Sequence, residues 1–308
     1  MKQEMMSRHI LLDESCIGLR GSSVTVFERE VLWQTFRRGG LKLSSGEFID
    51  MLHAMRDAVK QLSMRVYGKE PSGNSLSKCC GTWNECLVAW VANNAAASGA
   101  PVCFVRLDSN RDGQAFAPLL CDEMRRAIDP ERHLASNPDL LVLSARARRY
   151  LQPEMFAWLD ADRVNVLMDQ HRLLTGQLEP GDIRGALAVK VSLRPDRREQ
   201  FPFGGNKFKA ALEKAWRVGA RKAGQRIRKE FVPEVHNIVT ERLGNTTVLR
   251  QQTDAMSKSY PIDSTTQARN ARELKAVLID IGRSCLGRKK RRGIFAGNKK
   301  VEDMLDLR

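Results

Sequence analysis

Apolar positions along the chain follow two different periods. Val26, Leu32 and Phe36, then Phe48, Met51, Leu52, Met55 and Val59, fall near the three-to-four spacing of a helix face. Residues 24–67 therefore read as helical, divided at Gly39-Gly40. The stretch 68–77 is rich in Gly, Pro, Ser and Asn and reads as a loop. Residues 82–97 carry Trp83, Leu87, Val88, Trp90 and Val91 and read as a buried helix. Glu85 lies inside that apolar helix, where a carboxylate needs a partner or a task.

Short apolar runs mark strands further on. Residues 102–107 form one candidate. Residues 136–143 read as a turn feeding a buried strand, and 186–193 as a second buried strand broken by Lys190. Residues 115–128, 160–175 and 269–282 read as helices. Residues 208–231 read as a long basic helix whose cations track phosphate, face solvent or meet another subunit. The basic run at 287–293 is open to the same readings. With no internal repeat or long linker, the pattern predicts one α/β domain over 1–308. Its parts are a helical N-terminal region (1–67), a core (68–231) and a C-terminal part (232–308).

Charge narrows the partners. Fifty-one Lys+Arg against 36 Asp+Glu leave a net charge of +15, which attracts polyanions, nucleic acid foremost. A hydrophobic share of 42% supports a core and excludes wholesale disorder. No apolar run approaches the ~20 residues of a membrane span, and the first fifteen residues carry no long apolar segment. A cytoplasmic protein without a membrane partner is expected. Seven cysteines at irregular spacing, with no Cys-x-x-Cys pair, argue for reduced thiols and against a zinc ribbon. The five histidines form no metal pattern and read as surface or capping residues.

The chemical signal is an acid at the head of one strand and a lysine inside another. Asp139 follows Pro138, and Lys190 interrupts an otherwise apolar run. Burying a lysine is costly unless it meets an anion, and a carboxylate or a bound phosphate supplies one. This is the layout of the PD-(D/E)xK nucleases, although Ala188 stands where their second acid usually lies.

The segment Lys190-Val-Ser-Leu-Arg-Pro-Asp-Arg-Arg198 closely resembles the signature of type II (IIF-like) restriction endonucleases that cut sites with a central CCGG, the NgoMIV and SgrAI group of that superfamily. Ser136-Asn-Pro-Asp-Leu-Leu-Val142 is similar to the family's first metal-binding strand. Ser72-Gly73 with Gly81-Thr-Trp-Asn-Glu85 is similar to its loop and N-terminal catalytic helix. Residues 1–60 and 240–308 show no comparable match.

The resemblance implies a restriction-endonuclease-like core with a central mixed sheet flanked by helices. It implies Asp139 and Glu85 as Mg²⁺ ligands, and Lys190 as the residue that contacts the scissile phosphate and the attacking water. Arg194, Asp196 and Arg197 would read bases, with Ser192 and Arg198 in the same DNA-contacting segment. Arg suits guanine O6 and N7, and Asp accepts from cytosine N4. Double-stranded DNA, a homodimer or homotetramer, and a cognate DNA methyltransferase are the implied partners.

In relatives with a displaced acid, a glutamate about fourteen residues after the lysine returns to the metal. Here that count reaches Gly204, which has no ligand to offer. Glu199, a water, or no replacement remain open, so a catalytically impaired DNA-binding protein is the alternative.

Overall fold

The computed structural model describes residues 10–37, 48–99, 102–107, 116–127, 138–151, 161–179, 181–191, parts of 208–221, 233–240 and 263–286. The chain begins with a hairpin of β1 (Ile17–Arg20) and β2 (Ser23–Val26). Gly21 makes the turn at φ 60°, a region glycine enters without steric cost. Val24 and Val26 alternate inward with period two. This corrects the helical reading of 24–26. Helices α1 (Glu28–Arg37) and α2 (Phe48–Tyr67) then follow as the apolar stripes predict.

Helix α3 (Gly73–Gly99) begins nine residues before the expected start at 82, inside the stretch read as a loop. Ser72 accounts for the early start, because its hydroxyl accepts from the Ser75 N–H and caps the first turn. Leu76, Cys79, Trp83, Cys86, Leu87 and Trp90 are buried along this helix. The expected helix at 115–128 is a short 3₁₀ turn at Ala117–Leu119 and then α4 (Asp122–Ala127). Helix α5 (Ala161–Asp169) runs into a 3₁₀ turn and covers the expected 160–175.

The centre is a five-stranded mixed sheet in spatial order β3 (Val102–Arg106), β4 (Leu140–Ser144), β5 (Ile183–Lys190), β6 (Glu234–Val239), β7 (Ser264–Gln267). The first two pairings are antiparallel and the last two parallel. Every residue of β3 and β4 is buried, so these strands are covered on both faces. β5 starts at Ile183, three residues before the expected 186, and ends at Lys190. Helix α3 packs against β3 and β5 and beside α6 (Ala271–Cys285), whose Asn270 cap accepts from the Glu273 N–H.

β6 and β7 are absent from the hydrophobic pattern because buried polar residues sit in them. The His236 and Asn237 side chains on β6 meet Ser264 and Thr265, their register partners on β7. His236 is 1% exposed, which corrects its reading as a surface or capping residue. Lys209, expected among the phosphate-tracking or solvated cations, is buried against Asp263 with Nζ 2.5 Å from Oδ2.

Candidate active site

Asp139 sits just before β4 and is tied into the sheet through its backbone. Its N–H donates to the Leu187 carbonyl at 3.0 Å, and its carbonyl accepts from the Leu107 N–H at 2.9 Å. The residue is thereby fixed between the ends of β3 and β5. Its side chain reaches β5 directly: Oδ2 accepts from the Val189 N–H at 2.6 Å and from Lys190 Nζ at 2.9 Å. Charge-assisted bonds of this kind are about twice as strong as neutral ones. Both donors use Oδ2 and neither uses Oδ1.

Lys190 ends β5. Its carbonyl accepts from the Thr240 N–H at 3.0 Å, while the Thr240 hydroxyl donates to Asn84 Oδ1 at 3.1 Å. Asn84 is buried on α3, so a polar link joins that helix to the tip of β5, next to the lysine. The Lys190 side chain is 27% exposed and that of Asp139 17%, so the pair is sheltered yet open to a ligand.

Glu85, one residue along α3, points to the same place. Its Oε2 accepts from Arg106 Nε at 3.0 Å, and Arg106 is nearly fully buried at the end of β3. Burial first, and then the charge of Asp139, push the Glu85 carboxyl up to about 8, against the opposing pull of Arg106 and Lys190. Two carboxylates that repel each other in spite of two neighbouring cations are short of positive charge. Their hard oxygen donors fit a divalent cation of the Mg²⁺ class, with Asp139 and Glu85 as the residues to hold it.

The structure brings Asp139, Lys190 and Glu85 together from three separate elements. Ser192, Arg194, Asp196, Arg197, Arg198, Glu199 and Gly204 lie outside the described residues. Arg106, Asn84 and Thr240 belong to the site and were not singled out from sequence. Arg106 had a signal, since it closes an apolar strand with a charge as Lys190 does. Thr240 had none.

A central mixed five-stranded sheet flanked by helices is the core of the restriction-endonuclease fold. Two solved structures share it: type IIF restriction endonuclease Bse634I with cognate DNA, at TM-score 0.67 over 86% of this chain and 97% of that one, and Bse634I restriction endonuclease, at TM-score 0.67 over 87% and 98%. Both are 16% identical to this chain, so the likeness concerns the fold. The profile of the Cfr10I/Bse634I restriction endonucleases matches residues 38–255, and the chain belongs to that family. The type II restriction enzyme Cfr10I of Citrobacter freundii is 23% identical over 184 residues, a span covering 55% of this chain and 64% of that enzyme. Among the described residues, no helix is long and apolar enough to cross a membrane.

Proposed function

We propose that this chain is a type II restriction endonuclease making Mg²⁺-dependent double-strand breaks in DNA at a site with a central CCGG. The observation that carries the reading is the 2.9 Å contact of Lys190 Nζ with Asp139 Oδ2 beside Glu85, a few residues before the Ser192–Arg198 segment. The family membership and the structural likeness to Bse634I, solved with its cognate DNA, support it. The grouping with the NgoMIV and SgrAI enzymes is part of the proposal and rests on that segment.

The chemistry is attack of water on a phosphodiester phosphorus. A Mg²⁺ held by Asp139 and Glu85 would supply positive charge at the scissile phosphate and favour ionisation of the attacking water. Lys190 Nζ, held by Asp139, stabilises charge on a phosphate oxygen and orients the attacking water. Asp139 keeps Lys190 aimed through Oδ2, and its carboxylate would help hold the cation. Glu85, steadied by Arg106, completes the pair of metal-facing carboxylates. Arg194, Asp196 and Arg197 read the CCGG bases, with Ser192 and Arg198 alongside. The resemblance to enzymes that act as dimers of dimers implies a homodimer or homotetramer as the working form. A cognate methyltransferase in the same cytoplasm protects the host's own sites. The division into 1–67, 68–231 and 232–308 within one domain belongs to the same proposal.

Gly204 favours a second reading, in which the chain binds CCGG-centred DNA without cutting it. Digestion of a CCGG-containing plasmid with Mg²⁺, beside chelator and Asp139→Ala controls, separates the two. Linear products that vanish in both controls support the nuclease. Retained CCGG-selective binding without cleavage supports the second reading.

A further inference from the structure

A second cluster of ligand-type side chains lies away from the Asp139–Lys190 pair. Glu234 opens β6, His236 follows two residues later, and Cys285 ends α6. One ligand atom from each lies within 4.8 Å of the other two. His236 Nε2 is 3.0 Å from Glu234 Oε2 and 3.9 Å from Cys285 Sγ. Bonds of about 2.0–2.3 Å at tetrahedral angles place such atoms roughly 3.3–3.5 Å apart, between these two spacings. Small side-chain shifts convert one arrangement into the other.

The outer partners are also set as a metal site requires. His236 Nδ1 lies 2.7 Å from Ser264 Oγ, which fixes the ring and leaves Nε2 aimed at the other two ligands. Ser284 Oγ donates to Glu234 Oε1 at 3.0 Å, which leaves Oε2 facing the histidine. The imidazole is 1% exposed and the Glu234 side chain 25%, so the cluster is sheltered but reachable from solvent at Glu234. Gly185 forms its wall, where a Cβ would stand 3.0 Å from Cys285 Sγ.

We propose that Glu234, His236 and Cys285 form a site for a borderline-soft divalent cation of the zinc class, clasping α6 to β6 and distinct from the catalytic centre. A thiolate, an imidazole and a carboxylate select zinc over Mg²⁺, which prefers oxygen ligands alone. The fourth position falls to water on the exposed side. Glu234 pairs with Gly185 and Lys190 with Val239, so the cluster and the lysine are five residues apart along β5, about 16 Å at a strand's ~3.3 Å rise. The clasp is structural, because it ties the last described helix to the sheet that carries the active site.

Protons balance as follows. A carboxylate oxygen only accepts, so the 3.0 Å contact with Glu234 Oε2 places a proton on Nε2 when no metal is bound. The Cys285 thiol is buried and, like an ordinary cysteine at neutral pH, carries its proton. Binding expels the thiol proton to solvent. It also moves the ring proton from Nε2 to Nδ1, where it faces Ser264 Oγ.

The test is Co²⁺ titration of the full chain after chelator treatment, read by absorbance. Wild type is expected to show a thiolate-to-cobalt charge-transfer band with tetrahedral visible bands, reversed by Zn²⁺. Cys285→Ser is expected to lose the charge-transfer band, and Asp139→Ala to keep it. Glu234→Gln and Ser264→Ala are expected to weaken binding about 10-fold or more. These two changes conserve shape and decide the matter even where Cys285→Ser does not fold. An octahedral spectrum without the charge-transfer band, or Co²⁺ affinity unchanged in Glu234→Gln and Ser264→Ala, overturns the proposal.

Discussion

Lys190 Nζ and Asp139 Oδ2 meet at 2.9 Å across the joined ends of β5 and β4, with the Val189 N–H donating to the same oxygen at 2.6 Å. The acid therefore performs two tasks. It anchors the strand end, and it holds the lysine in place. Asp139→Asn keeps an oxygen for the Val189 N–H but removes the charge. It is expected to fold and to lower Mg²⁺-dependent cleavage by more than about 100-fold, since even changes to a metal's outer partners cost about 10–100-fold. Asp139→Ala removes the acceptor as well and is expected to cost about 1–3 kcal/mol of stability. Urea unfolding beside a plasmid cleavage assay separates the two effects.

Glu85 predicts a proton signature. With its carboxyl at about 8 in the metal-free protein, it is mostly protonated at neutral pH and must lose that proton to serve a cation. Mg²⁺ affinity is expected to rise with pH up to about 8 and then level. Calorimetry at pH 7 in buffers of different ionisation enthalpy is expected to show proton release, absent in Glu85→Gln. Its folded pKa lies above that of the unfolded chain. The metal-free protein therefore loses stability as pH rises from the ordinary carboxylate range to about 8, by at most about 1.4 kcal/mol per pH unit from this group. The same scan on Glu85→Gln is expected to lack that slope.

Gly185 allows β5 and β6 to pair closely. A Cβ there would stand 2.5 Å from the Glu234 carbonyl oxygen, and that backbone atom cannot move aside without breaking the pairing. Gly185→Ala is expected to destabilise the fold by about 1–3 kcal/mol. The readout is a lower denaturant midpoint at an unchanged slope.

Much of this arrangement could be read from the residues before the fold was known. Lys190 interrupting an apolar run and Glu85 inside an apolar helix were each anomalous on their own. The structure places both beside Asp139. β3 and β4 were visible because each is an unbroken apolar run up to its last residue, Arg106 and Ser144. β6 and β7 were not, because His236 and Asn237 are satisfied by Ser264 and Thr265 only once the strands lie side by side. No local pattern reveals a polar pair separated by 28 residues. The β1–β2 hairpin was hidden by Val26, which falls near helical spacing with Leu32 and Phe36 but points inward as part of a strand. Arg106 was passed over because its partner Glu85 lies 21 residues away on another element.

Arg194 tests the reader segment. Arg194→Ala is expected to weaken binding to a CCGG-centred duplex by about 1–3 kcal/mol, with little change for unrelated duplexes. Loss of a phosphate contact alone would instead weaken both and flatten the salt dependence. Fluorescence anisotropy on both duplexes over a range of salt distinguishes these outcomes.

The most direct measurement is to incubate the full chain with Mg²⁺ and a plasmid of known sequence and to sequence the ends of the cleaved DNA. Double-strand ends are expected at one recurring site with CCGG at its centre, with none in chelator and none from Asp139→Ala. Ends scattered over unrelated sequences, or intact plasmid at every protein concentration, would contradict it.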